Sequence, residues 1–433
     1  MSVPSASAPR REILAWAFYD FANSAFATTV LAVVFPLYFK DGLKAGPSAY
    51  GYILSAAMII SAVIAPILGA ICDRAAAKKR ALIVLWLVGC SGSMALFIPG
   101  TWPLAAAFFV VAMVGFEASS SIYNAFLPEL APGHNASRIS SLGWAFGYLG
   151  GGLHLVLALM IIKHPEWFGL GTEAHLPVRA AIGSVGLWWL LFSLPLVFLL
   201  RERIVARPGI PGVSAIPEAV NKLKKTIQNV RRIPTLARYT IAFLLFNDGV
   251  QTVIAMSSTF GSEALGMKND ELIQCFLLIQ GVAIVGSLSF AFLASKLKDK
   301  PALVVTLVIW IGVVSWAFFV KSSREFWYLG IAVGLVMGGT QAIARALQSR
   351  FTPPSSAAEF FGFYAITGKF ASALGPAMFA GVTSLTGNVR WGVLSIAVLF
   401  VAGLIVLLPV DEARGDAEAR EEERRLTAAG PAP

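Results

Sequence analysis

Five charged residues stand inside long apolar stretches of this sequence: Asp20, Glu117, Asp248, Arg345 and Lys369. A charge held at the centre of a bilayer costs about 2.5–3.5 kcal/mol on insertion scales, so such positions are first of all candidates for function. Each belongs to a polar stripe. Helical spacing puts Asp20 with Asn23, Glu117 with Ser120, Ser121 and Asn124, Asp248 with Gln251 (Asn247 lies beside it), and Gln341 with Arg345. Three acids and two bases around one space could clamp a zwitterion, its carboxylate towards Lys369 or Arg345 and its amine towards an acid. They could equally pair among themselves, Glu117 with Lys369 for example, and open and close in turn. A carboxyl group shielded from water holds its proton more readily. With no cation among their sequence neighbours, Asp20 and Glu117 are the expected carriers of a coupled proton, with Asp248 and His154 next. A lone His154 inside an apolar stretch is more simply a hydrogen-bonded structural residue, and the Asn and Gln side chains can serve as packing contacts between helices.

The elements that must position these groups follow from composition. Hydrophobic residues make up 57% of the 433 and charged residues 13%, too few to cover a water-soluble globule, where about a quarter is usual. The apolar residues run in blocks of helix-spanning length without strand alternation. The expected spans, 1 to 12, are 13–39, 48–72, 81–99, 102–127, 139–162, 178–200, 239–261, 269–295, 302–320, 326–350, 358–385 and 389–409. Backbone groups in lipid must be satisfied within each segment, which makes these helices. The polar first ten residues and the long first block do not fit a cleaved leader. Cys72, Cys90 and Cys275 are too scattered for a disulfide framework or a metal site.

The formal charge of +10 is not a nucleic-acid signal, because of where it sits. Segments on one side of the expected membrane hold 24 of the 34 Lys and Arg, those on the other side 8, and Arg345 and Lys369 lie within spans. The positive-inside rule then places both termini in the cytosol. Residues 1–201 form one expected six-helix bundle, 202–237 a basic cytosolic linker, 238–410 a second bundle and 411–433 a charged, mobile tail. In the linker, Val220, Leu223, Ile227 and Val230 recur at helical spacing between lysines, as in a helix lying on an anionic leaflet or in a solvated tether.

The two bundles carry a faint repeat. Sliding the sequence by 221 residues sets Asn124-Ala125 on Arg345-Ala346, Pro132 on Pro353, Arg138 on Glu359 and Gly147 on Gly368. The interior charges fall in spans 1, 4, 7, 10 and 11, while spans 3, 6, 9 and 12 have none. After span 2 comes Gly69-Ala-Ile-Cys-Asp73-Arg74-Ala-Ala-Ala-Lys78-Lys79-Arg80. Here Gly69 permits close helix contact, Asp73 can accept from a helix N-terminus, and Arg74, Lys78 and Arg80 can reach Glu129 or Glu359, with Arg138 at the same rim. The second-half counterpart, Ser295-Lys296-Leu-Lys298-Asp299-Lys300, is degenerate. Gly143, Gly147 and Gly151 suit close packing of span 5 on a neighbour, and Gly375-Pro376 suits a bend in span 11.

The Gly69–Arg80 string resembles the loop 2–3 signature of the major facilitator superfamily. That resemblance implies a cytosolic gate at this string, spans 1, 4, 7 and 10 around a central cavity, and spans 3, 6, 9 and 12 against lipid. A closer resemblance rests on Trp16-Ala-Phe-Tyr19-Asp20-Phe-Ala-Asn23-Ser24 in span 1, Tyr123-Asn124-Ala-Phe-Leu-Pro128-Glu129 after span 4, Gly143 to Gly151 in span 5, and Phe246-Asn247-Asp248-Gly249-Val-Gln251-Thr252 in span 7. Together these are similar to the autophagy-related vacuolar effluxer family, whose bacterial members are called the unknown major facilitator family. It implies an all-α membrane protein of two pseudo-symmetric six-helix bundles, and solute transport, with amino-acid release associated with its fungal branch.

The expected function is therefore secondary transport of a small zwitterionic solute, an amino acid or short peptide, by alternating access coupled to protons. The alternatives are an efflux antiporter for drugs or metabolites, to which span 5 has part of the glycine pattern, and a transport-inactive sensor or scaffold of the same fold. No His-Glu-x-x-His pair and no Walker loop occurs, so neither enzyme chemistry nor ATP is expected. The expected partners are solute, protons and lipid, with no cofactor, metal or nucleic acid, in a monomer of the bacterial inner membrane.

Overall fold

The computed structural model describes residues 8–45, 53–54, 56–61, 64, 77–131, 135–203, 232–371 and 374–428. Among them, nine helices are long and apolar enough to cross a membrane. Span 3 (Lys78–Ala95) begins on three basic residues, and span 11 is described as helix over Ala357–Ala371 and Leu374–Thr386, with 372–373 outside the described residues. Span 2 is described at a few helical positions between 53 and 64. The edges expected for span 2 lie outside the described residues; the others hold to within a few residues, for instance Ala136–Lys163 for span 5 and Ser323–Phe351 for span 10.

Each bundle has its own apolar core. Trp310, Phe400, Tyr239 and Phe246 are buried at the centre of the second bundle, and Phe26, Phe35, Phe109 and Trp189 in the first. The outer surface is apolar too: Phe198 in span 6, Phe319 in span 9 and Ile405 in span 12 are among the most exposed side chains. A rind of that kind is stable against hydrocarbon. The two bundles share a device at one face. Arg179, opening span 6, donates to the carbonyls of Ala174 and Phe97, the latter just past span 3; Arg390, opening span 12, donates to the carbonyls of Phe318 and Val320 at the end of span 9. A guanidinium there satisfies the orphan carbonyls of a helix end.

Span 1 is irregular. It starts at Arg10 and winds as an α-helix to Ala25, then as a π-helix over Phe26–Val34. Wide turns of this type displace side chains from the ordinary helical face and are common at functional sites. Here they carry Thr28 and Thr29.

The terminal segment corrects an expectation. Residues 412–428 are not a mobile tail but a helix, Glu412–Ala428, docked across the end of the second bundle where spans 7, 9 and 11 begin. Its acids accept from the backbone N–H of Thr235, Lys300 and Ser355, at the starts of spans 7, 9 and 11. Helix N-termini present unpaired N–H groups and a partial positive charge, so a row of carboxylates is their natural partner. Composition marks the segment as charged; it does not reveal that the charges have fixed partners.

Candidate functional site

The bundles meet along span 5, which packs on spans 8 and 10. At the seam, Ser140 Oγ donates to the carbonyl of Ala342, and Ser287 Oγ donates to that of Ser141. The centre of the seam is an ion pair. Arg345 Nη1 lies 2.8 Å from Asp20 Oδ2, with both residues buried. The rest of the guanidinium is also engaged. Its Nε donates to Ser140 Oγ at 2.9 Å, Nη2 to the Ser140 carbonyl at 2.6 Å, and Nη1 to Asn124 Oδ1 at 3.3 Å. The rings of Trp16 and Trp144 stand 4.9 and 5.2 Å from its centre. Such a cage suits arginine, whose planar fork stacks on aromatics and donates in several directions at once.

Asp20 therefore has a cation, contrary to what its sequence neighbours suggest, and it is 325 residues away. Arg345 is likewise not a free anchor for a solute carboxylate in this conformation. Room for the pair comes from Gly143, where a methyl group would sit 2.7 Å from both Asp20 Oδ2 and Arg345 Nη2. Along the same face of span 5, Gly147 abuts Ser24 and Gly151 abuts Thr28, so the glycine series packs on span 1.

A cavity of about 310 Å³ lies beyond the pair, away from the face that carries both ends of the described chain. It begins one turn further along each helix, at Ser24 in span 1 and Gln341 in span 10, and reaches Val313 and Phe326 near the opposite face. Its described lining has aromatic residues such as Trp144, Tyr148, Phe260 and Phe276, and the amides of Gln251, Gln280 and Gln341. No charged residue belongs to that lining. Gln280 Nε2 crosses from span 8 to donate to Thr28 Oγ1 at 3.1 Å, and Gln341 Nε2 donates to Asn247 Oδ1 at 3.2 Å. Asn23 Nδ2 makes a long contact to Ser120 Oγ, 3.4 Å.

The other expected site residues divide. Gln251 faces the cavity, whereas Asp248, three residues earlier, turns to span 11, where its Oδ2 accepts from Gly375 N at 2.8 Å. Asp248 thus ties span 7 to span 11 beside Gly375-Pro376. Glu117 is half-buried in span 4, and Lys369 lies in span 11 with its side chain outside the described residues. His154 is held between Thr29 Oγ1 at 2.9 Å and Ser184 Oγ at 3.2 Å, the structural role expected of it.

At the face carrying both ends, Gly69, Asp73 and Arg74 lie outside the described residues. Lys78 Nζ lies 2.6 Å from Glu129 Oε1, with both side chains buried, as the motif suggested. Arg80 and Arg138 are exposed, and Glu359 is half-buried at the start of span 11. The second-half string is less degenerate than it reads. Asp299 pairs with Arg350 at 2.7 Å and also accepts from Ser137 Oγ, a contact that joins the two bundles at this face. Sequence reasoning missed Asp299, Arg350, Ser140, Thr28 and Gln280. The repeat could have found the first two, since the 221-residue shift carries Lys78 to Asp299 and Glu129 to Arg350.

Comparison with known proteins now adds to this geometry. Residues 44–420 match the model of the family described as vacuole effluxer Atg22 like. The chain is 32% identical to the uncharacterized MFS-type transporter YxiO of Bacillus subtilis over 406 residues, covering 92% of this chain and 94% of YxiO. It is 30% identical over 307 residues to autophagy-related protein 22 of Cryptococcus neoformans, covering 67% of this chain and about half of the fungal protein, 53%. Among solved structures, the human organic anion transporter MFSD10 superposes with a TM-score of 0.73 at 15% identity, covering 92% of this chain and 99% of that one. The proton:xylose symporter XylE gives 0.71 at 14% identity, covering 95% and 98%. At such identities the two structures speak for the fold alone.

Proposed function

The chain belongs to the vacuole effluxer Atg22-like family of major facilitator transporters, and from that premise we propose that it moves a small zwitterionic solute, an amino acid or short peptide, by proton-coupled alternating access. One observation carries the reading: the Asp20–Arg345 pair ties the two bundles together at the floor of a cavity whose described lining has no charge. In the conformation described, the pair and the seam around it lie between the cavity and the face bearing the chain ends.

The proposed cycle uses the pair as a switch. A proton on Asp20 removes the charge that holds Arg345, and a solute carboxylate entering from the cavity takes the vacated guanidinium. Each event alone leaves a buried charge without its partner, which is costly. Together they exchange the Asp20–Arg345 pair for a carboxylate–Arg345 pair, the positive charge brought by the proton being carried by the solute amine, and that requirement is the physical basis of coupling. The amides of Gln251, Gln280 and Gln341 and the aromatic walls then hold the body of a solute that is neutral overall. Glu117 and Lys369 are the proposed second acid and base, on which the solute amine and carboxylate could also settle. Asn23, Asn124 and Asn247 are proposed to adjust their partners as the pair opens.

Integral membrane insertion with many spans follows from the family and the helices. Within the proposal, both termini are cytosolic and the protein works as a monomer in a bacterial inner membrane; the basic asymmetry of the loops and the bacterial relative support this. The relatives are transporters, and no catalytic step is assigned.

The test is solute flux into proteoliposomes over a panel of amino acids, short peptides and sugars, with and without a pH gradient. Accumulation of a free amino acid but not its methyl ester, driven by the gradient, is the expected result. Preference for an uncharged sugar, or for an apolar compound exchanged against protons, would transfer the site to another solute class. The aromatic lining makes the second of these the main competitor.

A further inference from the structure

The docked terminal helix grips one residue of the second bundle more closely than any other. Arg350, near the end of span 10 and almost wholly buried, donates its Nε and Nη2 edge to both oxygens of Asp416, at 3.2 and 2.5 Å. Its Nη1 is shared between Asp299 Oδ2 at 2.7 Å and Glu412 Oε2 at 2.5 Å. That division leaves Asp299 Oδ1 for Ser137, which reaches it from the first bundle. Arginine and a carboxylate prefer a two-pronged contact, two parallel N–H···O bonds. Without Asp416 and Glu412, the open fork of Arg350 would turn to Asp299 and compete for the oxygen that now accepts from Ser137.

The first bundle has an equivalent arrangement among its own residues. Glu202, just past span 6, accepts from the backbone N–H of Lys78 and Lys79, and Glu129 accepts from that of Arg203. Glu412, just past span 12, accepts from Lys300 N in the same way. In both bundles the segment after the sixth helix therefore closes the local ion pair. In the second bundle that pair is also in contact with the opposite bundle, through Ser137.

We propose that the Glu412–Ala428 helix is a built-in latch on the transport cycle: by occupying the fork of Arg350 it keeps one oxygen of Asp299 for Ser137 and so stabilises the closed seam between the bundles. Glu412, Asp416 and Arg350 are positioning residues in this scheme. None of them touches solute, and the latch operates whichever solute the cavity takes.

The experiment reads seam opening directly. With Cys72, Cys90 and Cys275 replaced by alanine, Ser141→Cys supplies a reporter at the seam; Ser141 is buried and its hydroxyl has no partner among the described residues. The full-length protein is labelled with a membrane-impermeant maleimide. Asp416→Asn is expected to speed labelling roughly tenfold, within the range typical of coupling between distant sites, and Asp416→Glu to return it towards the parent rate. Glu418→Gln removes a grip on Thr235 without touching Arg350, and its labelling is expected to match the parent. Should Asp416→Asn fail to fold, Asp416→Ser, which likewise cannot accept from both Nε and Nη2, opens the same fork and is read in its place. No acceleration in the Arg350-directed variant, or equal acceleration in Glu418→Gln, would overturn the route through Arg350.

Discussion

Asn124 and Arg345 touch at 3.3 Å, and the 221 residues between them are the interval that brings the two halves of the sequence into register. Equivalent positions of the repeat therefore meet each other, as residues do beside a two-fold axis. The repeat has diverged at this point into an acceptor and a donor, and the pair they join is the one between Asp20 and Arg345. Symmetry brings the positions together, and divergence makes the contact polar.

The first prediction concerns that pair. Arg345→Ala leaves Asp20 buried without its cation, a change that costs about 3–5 kcal/mol when one partner of a buried pair is removed. Adding Asp20→Asn should recover much of the loss, because an amide needs no cation. Arg345→Lys should rescue poorly, since an ammonium cannot reach Asp20, Asn124 and both acceptors of Ser140 together. Thermal unfolding in detergent measures all three. A double variant as unstable as the single one would show that the pair is not the source of the stability.

Asp20→Asn by itself imitates the protonated acid. Solute exchange without a gradient should persist in this variant while accumulation driven by a pH gradient is lost. Should the variant still accumulate solute against its gradient, the coupled proton resides elsewhere, with Glu117 the next acid to replace.

Gly143→Ala places a methyl group 2.7 Å from both charged atoms of the pair. Neither a buried carboxylate nor a caged guanidinium can give way cheaply, so the variant should resemble Arg345→Ala in stability and lose most transport. Gly281→Ala is the control, because nothing lies within 4 Å of its added carbon. There the helix should gain up to about 1 kcal/mol from alanine. Equal loss in both variants would mean that glycine matters for helix flexibility rather than for space.

Lys78–Glu129 and Asp299–Arg350 are repeat-equivalent pairs with their charges interchanged, and each joins residues 51 positions apart. Lys78→Ala should destabilise by about 3–5 kcal/mol. The double exchange Lys78→Asp with Glu129→Arg rebuilds the second-bundle arrangement in the first, with an acid at the start of span 3 where the helix dipole favours it. It should be clearly more stable than either single exchange, read by thermal unfolding. Additive loss in the double variant would mean that the two sites are not equivalent.

Glu418, outside the membrane-spanning segments, gives a pH prediction. Burial alone would raise its pKa, but the bonds from Thr235 and Arg414 outweigh it, and the net shift is downward. A lowered folded-state pKa means the stabilisation is fully present above the unfolded value and fades as pH falls through the folded one. Hydrogen exchange in the terminal helix, corrected for its intrinsic pH dependence, should show steady protection from neutral pH into the ordinary carboxylate range and loss below it. In Glu418→Gln that acid-induced loss should be smaller. A loss that begins near neutral pH would point to another group.

What the sequence determined by itself was whatever each segment decides locally. The transfer energy of about twenty apolar residues fixes a span without reference to its neighbours, and Phe198, Phe319 and Ile405 face outward because lipid, rather than protein, can surround them. Glycine spacing in span 5 and the pairing capacity of Lys78 were legible for the same reason. The tertiary structure decided the partners. Asp20 looks unpaired in sequence because its cation stands in the other bundle, and Asp248 turns from the cavity because the Gly375 N–H of span 11 donates to it. The terminal helix reads as a solvated charge run until the starts of spans 7, 9 and 11 are brought together beneath it. Hydrophobicity acts on a segment, whereas a hydrogen bond or ion pair acts over about 3 Å. Packing of the whole chain is what brings such groups within that distance.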